Sequence, residues 1–161
     1  MPTTEHLPGL PLSTLDPQAV VAAESIIRDY CGWHIAPAIT ETITLDGSGT
    51  YKMFLPSLRI KSITSISEGG FLLPAIDYDW SENGTVEKIR SQWTWRRRGV
   101  VIVLVHGYDF CPPGVEDLVK QLAKSGPAAI TRAQIGQTSV TYSAAAPTFE
   151  VLNRYRIRTV G

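Results

Sequence analysis

The chain has 161 residues, 43% of them hydrophobic, and 15 Lys and Arg against 15 Asp and Glu. On a prior of about 150 residues per domain this is one domain, or one domain with arms. The even balance excludes a generic polybasic nucleic-acid binder, which needs clustered excess Lys and Arg. Charged residues make up 19%, below the roughly 25% usual for soluble domains, as suits a surface partly covered by other subunits.

The total hides an asymmetry. Residues 1–80 carry nine acids and four bases, a net of −5, and residues 81–161 carry six acids and eleven bases, a net of +5. Such polarity suits head-to-tail or side-by-side assembly of copies, or halves that neutralise each other within one chain. Cys31 and Cys111 are too few for a disulfide framework. The longest unbroken apolar run, Val100 to Val105, falls far short of the roughly 20 residues of a membrane helix. No Lys or Arg precedes Arg28, so a basic signal-peptide start is missing. The expectation is a soluble protein made in a reducing cytoplasm, with no membrane partner.

Residues 1–14 contain Pro2, Pro8, Gly9 and Pro11 and read as an irregular arm. Asp16-Pro17 then predicts a helix start, Asp16 as N-cap and Pro17 in the first turn. Ala19, Ala23, Ile26, Ile27 and Tyr30 form its apolar stripe, and Gly32 ends it. Strands are predicted at Ala38–Leu45, Thr50–Leu55 and Leu58–Ser67, separated by Asp46-Gly47-Ser48-Gly49 and other turns. Ile76, Tyr78 and Trp80 alternate, Asn83-Gly84 signals a hairpin, and Val86–Ile89 pairs back. Val100–Val105 is apolar on both parities and predicts a central strand covered on both faces.

Pro112-Pro113 opens a second helix whose buried face is Val115, Leu118, Val119 and Leu122, with Gly126-Pro127 as its end. Gln137–Tyr142 reads as extended, and Pro147 starts a short helix carrying Phe149, Val151, Leu152 and Tyr155. The fold class is α+β: an N-terminal helix, a small antiparallel sheet, a following helix or helices, and a protruding C-terminal arm. Its parts are an arm over 1–14, the α+β domain over 15–133, and a C-terminal arm with a short helix over 134–161. A terminal segment outside the core contributes little, so a chain cut after Phe149 is expected to fold.

Chemistry is hard to find. His106-Gly107 after an apolar strand resembles an oxyanion-loop turn, but no Gly-x-Ser-x-Gly elbow accompanies it. It reads as a strand-ending turn. Cys31, His34, His106 and Cys111 are the right types for tetrahedral zinc. Seventy-one residues separate the two pairs, and buried cysteines acting as small hydrophobes are the plainer reading. Asp77, Asp79 and Glu82 read as turn solvation, and Trp80, Trp93 and Trp95 as packing for a small sheet. Arg96, Arg97 and Arg98 could touch phosphate or acidic protein, or simply keep a loop solvated. The residues alone give a protein without catalytic, cofactor or metal sites, and not an enzyme.

The order of the pieces adds to this. Tyr30-Cys31-Gly32-Trp33-His34-Ile35-Ala36-Pro37 closes the first helix. Leu55-Pro56-Ser57-Leu58, Ser62-Ile63-Thr64-Ser65-Ile66 and Tyr78-Asp79-Trp80-Ser81-Glu82-Asn83-Gly84 follow, then His106-Gly107-Tyr108 and Pro112-Pro113 before a helix. This succession resembles the head-to-tail connector (adaptor) proteins of long-tailed bacteriophages, over roughly Asp16 to Ala123 and more weakly Leu152 to Arg158.

The resemblance implies a virion protein of the neck, assembled in the host cytoplasm as a homo-oligomeric ring, a dodecamer. Such a ring binds the portal, extends the channel through which genomic DNA passes without sequence-specific contact, and docks the downstream stopper. It implies a portal-gripping C-terminal segment, here Leu152, Arg154, Tyr155, Arg156, Ile157 and Arg158. Arginines alternating with Tyr155 and Ile157 would give an extended tail two faces. Arg96, Arg97 and Arg98 would then serve inter-subunit or DNA-channel contacts. Another neck protein (a stopper or tail terminator), a small hydrolase and a zinc-stabilised binding domain are the alternatives.

Overall fold

Asp16 begins the first helix as the sequence predicts, and its side chain accepts from the Gln18 N–H at 3.1 Å. Helix α1 spans Pro17–Cys31 and ends at Gly32, whose φ of 79° is the left-handed cap. The computed structural model describes residues 15–135 and 149–157. These sort into two compact units, residues 15–33 with 110–135 and 149–157, and residues 34–109.

The helical unit pairs α1 with α2, Pro113–Ile135. From α1 come buried Val20, Ala23, Ile26, Ile27 and Cys31, and from α2 buried Val115, Leu118, Val119, Leu122 and Ala123. Helix α2 does not stop at Gly126-Pro127 but runs through it. Proline's φ is helical and glycine before it has no Cβ to clash, so the lost N–H bond and the crowding of the carbonyl four residues back weaken the helix without ending it. The stretch Gln137–Tyr142 lies outside the described residues. Phe149–Tyr155 is a 3₁₀ helix rather than an α-helix.

The strand unit holds a sheet of β1 (Ile39–Leu45), β3 (Ile60–Glu68), β4 (Phe71–Leu72) and β7 (Val100–His106), alongside a second sheet of β2 (Lys52–Phe54), β5 (Tyr78–Ser81) and β6 (Thr85–Lys88). The strand orders are β1-β7-β3-β4 and β2-β6-β5, with every pairing antiparallel. The fold class is α+β. Strand β7 is central, flanked by β1 and β3.

Only one face of β7 is fully covered. Val100, Ile102, Leu104 and His106 are buried, whereas Val101, Val103 and Val105 are half-buried among Thr40, Thr42 and Thr44 of β1. The expectation of two covered faces fails because the neighbouring strands are polar on that side. Ile60, Ile63 and Ile66 of β3 are three residues apart, the wrong period for one strand face. Two register shifts, between Ile60 and Ser62 and between Ile63 and Ser65, put them opposite His106, Leu104 and Ile102 on the covered face. Met53, Leu55, Tyr78, Val86 and Trp93 complete that core. Ile76 does not alternate into the sheet: it sits exposed in a 3₁₀ turn, Ala75–Asp77.

Among the described residues no helix is long and apolar enough to cross a membrane.

Candidate functional site

The C-terminal residues read as a hook do not protrude. Leu152 is 0% exposed, Tyr155 and Ile157 are half-buried, and Arg154 and Arg156 face solvent. The alternation read from the sequence is real, but its apolar face is already used within the helical unit. Arg158 lies outside the described residues.

Tyr30 is the centre of that docking. Its ring lies 5.2 Å from the Phe149 ring, and the Arg156 guanidinium stands 4.9 Å from its centroid on a cation–π contact. Its hydroxyl donates to Asn153 Oδ1 at 3.1 Å. Two turns of backbone chemistry finish the seat. Trp33 Nε1 donates to the Tyr155 carbonyl at 2.5 Å, and the Ile157 N–H donates to the Cys31 carbonyl at 2.9 Å. That last bond satisfies a carbonyl which a helix end leaves without an intrahelical partner. Gly114, in the first turn of α2, lets Val151 approach: a Cβ there would stand 2.7 Å from Val151 Cγ1.

The thiols of this unit are buried and free. Burial pushes Cys31 up to about 11 against the pull of Arg156. Burial pushes Cys111 up to about 12, with Glu116 and Glu24 adding to it. A buried thiol that keeps its proton packs as a small hydrophobe. In the strand unit, the rings of His34 and His106 are 6.0 Å apart. His34 Nε2 contacts the Pro37 carbonyl at 2.6 Å, and His106 Nε2 pairs with Glu41 at 2.8 Å. Among the described residues no group of three His, Cys, Asp or Glu is placed to hold a metal ion.

The second candidate surface is the loop carrying Arg96, Arg97 and Arg98, all exposed. Its backbone is fixed against the turn after β1. Gly47 N–H donates to the Arg96 carbonyl at 2.9 Å, Gly49 N–H to the Thr94 carbonyl at 3.2 Å, and Arg98 N–H to Asp46 Oδ1 at 2.6 Å. The two glycines are needed for this approach. A Cβ at Gly47 would strike the Thr94 carbonyl, and one at Gly49 would strike the Trp95 indole. Arg98 itself takes a left-handed φ of 51°, an uncommon state for a side-chain-bearing residue that its surroundings must hold.

Beneath the loop lies an ion pair between buried Lys88 and half-buried Glu68 that sequence reasoning missed. Lys88 Nζ donates to Glu68 Oε2 at 2.5 Å, and the other Glu68 oxygen accepts the Thr94 N–H at 2.6 Å. Lys88 also stands 5.0 Å from the Trp93 ring centre. Glu68 closes β3 and Lys88 closes β6, so the pair ties the arginine loop to both sheets. Nothing in the spacing of positions 68, 88 and 94 announces it. Trp93 packs as read, but Trp95 is 78% exposed and Trp80 39% exposed. Trp95 covers Gly49 rather than filling the sheet. Glu82 meets Arg59, as an ion pair rather than plain turn solvation.

No protein-family model and no curated protein matches the chain. Among solved structures it is similar to a component of the neck of a native gene transfer agent particle, determined with C12 symmetry. The TM-score is 0.63 at 13% identity, covering 91% of this chain and 86% of that one. A component of the neck of the empty particle, determined with C6 symmetry, aligns with TM-score 0.56 and 18% identity over 89% and 79% of the two chains. A chain of the virion of the native particle aligns with TM-score 0.56 and 18% identity over 89% and 78%. What this chain shares with these virion and neck components is the fold.

Proposed function

We propose that this chain is a structural protein of a phage-like particle neck, a head-to-tail adaptor that works as a ring and not as an enzyme. The observation that carries this reading is the fold likeness to neck components over about nine-tenths of the chain. The low and balanced charge agrees with it, because subunits packed around a ring cover much of their surface. In this reading the ring is a dodecamer that binds the portal above, receives the stopper below and extends the DNA channel. In the same reading the exposed Arg154 and Arg156 would meet the portal, where many equal weak contacts around a ring add as avidity. The pinned Arg96–Arg98 loop would meet DNA phosphates or a neighbouring subunit, a contact that positions without reading sequence.

The test is electron imaging of the chain mixed with the portal protein of the same particle. The expected result is a twelve-fold ring capping the portal, with a continuous central channel. A monomer that leaves the portal bare at micromolar concentration would overturn the reading.

A further inference from the structure

The strand unit carries two sets of charges of opposite sign, each left uncompensated. Among the described residues the side chains of Arg96, Arg97 and Arg98 make no ion pair. The loop under them is nevertheless rigid, pinned by main-chain bonds and with Arg98 held at a left-handed φ of 51°. The exposed Trp95 stands beside them. Trp and Arg are the residues that most often carry interface energy, and a loop already fixed in shape loses little entropy when a partner arrives.

The other set lies on the outer face of the second sheet. Asp79 of β5 is directly opposite Glu87 of β6, which faces Lys52 of β2 on its other side. Lys52 stands 3.7 Å from Glu87, and the exposed Asp79 carboxylate has no cation among the described residues. Like charges directly opposite on one sheet face are destabilising. Phe54, two residues beyond Lys52 and so on the same face, is 76% exposed. The face offers two carboxylates beside an aromatic ring, the counterpart of three guanidiniums beside an indole.

We infer that the Trp95–Arg98 loop of one copy of this chain docks on the face bearing Asp79 and Glu87 of a second copy. This deepens the ring reading above by naming the two surfaces that join neighbours. A nucleic-acid strand would also satisfy the arginines, but it would leave Asp79 facing Glu87 and the indole uncovered. The zero net charge of the chain gives no overall pull toward a polyanion. A second copy supplies the missing charges to both surfaces at once. Loop and face are different parts of one unit, so the contact is head-to-tail, and copies joined this way close into a ring or run on as a filament.

The test exchanges charge between copies. One variant carries Arg96→Glu, Arg97→Glu and Arg98→Glu, in a loop whose shape rests on its backbone. The other carries Asp79→Lys and Glu87→Lys. In sedimentation at low salt and up to millimolar concentration, wild type should assemble, and should dissociate as salt is raised. Each variant alone presents like charges on both surfaces and should stay monomeric. An equimolar mixture should assemble again, because acidic loops meet basic faces and the native loops meet the native faces. Asp79→Asn with Glu87→Gln keeps the side-chain shapes and the test readable if a reversal fails to fold. It should weaken assembly several-fold while its melting temperature stays at or above wild type, since the opposed like charges are gone.

A mixture that stays monomeric, a wild type that stays monomeric at millimolar concentration, or variants that assemble like wild type overturns the inference. So does loss of duplex DNA binding in the glutamate variant with assembly unchanged, which gives the loop to nucleic acid instead. Variants that assemble like wild type and still cap the portal leave the adaptor reading standing without this interface. Charge-exchanged assembly that never caps the portal keeps the interface and overturns the adaptor reading.

Discussion

The C-terminal segment and the arginine loop are both irregular and both turn arginines to solvent, yet they are fixed by opposite means. Phe149–Ile157 is held mainly by side chains, with Leu152 in the core and rings on Tyr30. The loop bearing Arg96, Arg97 and Arg98 is held by its backbone, through Gly47, Gly49, Asp46 and Glu68. The difference teaches which residues each surface can spare. A segment docked by side chains loses position and function together when those side chains change. A loop fixed by main-chain bonds keeps its shape whatever its arginines become.

The largest effect should come from the docked segment. Leu152→Ala should destabilise the protein by about 2–5 kcal/mol, the range for emptying a fully buried leucine site. A chain cut after Phe149 should lose more still, contrary to the expectation drawn from the sequence, because Leu152 and the Trp33 and Cys31 bonds go together. Urea unfolding of the variants measures both. A shift below about 0.5 kcal/mol, as for ordinary surface changes, would make the segment a mere appendage after all.

Next is the ion pair under the loop. Lys88→Met alone should cost about 1–3 kcal/mol, since it leaves the half-buried Glu68 carboxylate with the Thr94 N–H but without its ammonium partner. Glu68→Leu with Lys88→Met should recover a good part of that loss while still freeing the Thr94 N–H. Unfolding curves of the two singles and the double settle it: additive losses would mean that the pair is not coupled.

The thiols give a smaller effect, confined to alkali. Both are raised in the folded chain, from 9.0 to about 11 for Cys31 and about 12 for Cys111. Between pH 9 and those values the unfolded chain releases thiol protons that the folded chain retains. Stability is therefore fully present below pH 9 and falls as pH rises through that window. Between pH 9 and 10 the loss should be about 1 kcal/mol per thiol. The same pH series on Cys31→Ala and Cys111→Ala isolates it, since each replacement should flatten the slope.

Smallest is the arginine triple Arg96→Ala, Arg97→Ala, Arg98→Ala, whose melting temperature should match wild type because the backbone bonds remain. Its retention on a polyanion column should fall, with a shallower salt dependence, by up to about 0.9 in slope per lost phosphate contact. A large loss of stability would mean that the side chains hold the loop, and the contrast with the C-terminal segment would disappear.

Much of this molecule is local, and local features were legible in the residues. Asp16, Pro17 and Gly32 bound α1 because capping and left-handed φ are satisfied within a few residues. The Val100–Val105 run marked the central strand because apolar content tracks burial. The 3.6-residue spacing of Val115, Leu118, Val119 and Leu122 gave the buried face of α2.

What the tertiary structure alone decided involves partners far apart in the chain or choices between nearly equal energies. The Ile60, Ile63 and Ile66 spacing needs two bulges before it makes one face, and only pairing with β7 fixes them. Gly126-Pro127 weakens a helix without forbidding it, so propensity alone could not say that α2 continues. Glu68 with Lys88 and Asp46 with the Arg98 N–H join positions 20 and 52 residues apart. Tyr30 and Asn153 are 123 residues apart. No periodicity carries such a contact: it exists because a buried or half-buried polar group must find a partner, and the folded chain determines which one is within reach.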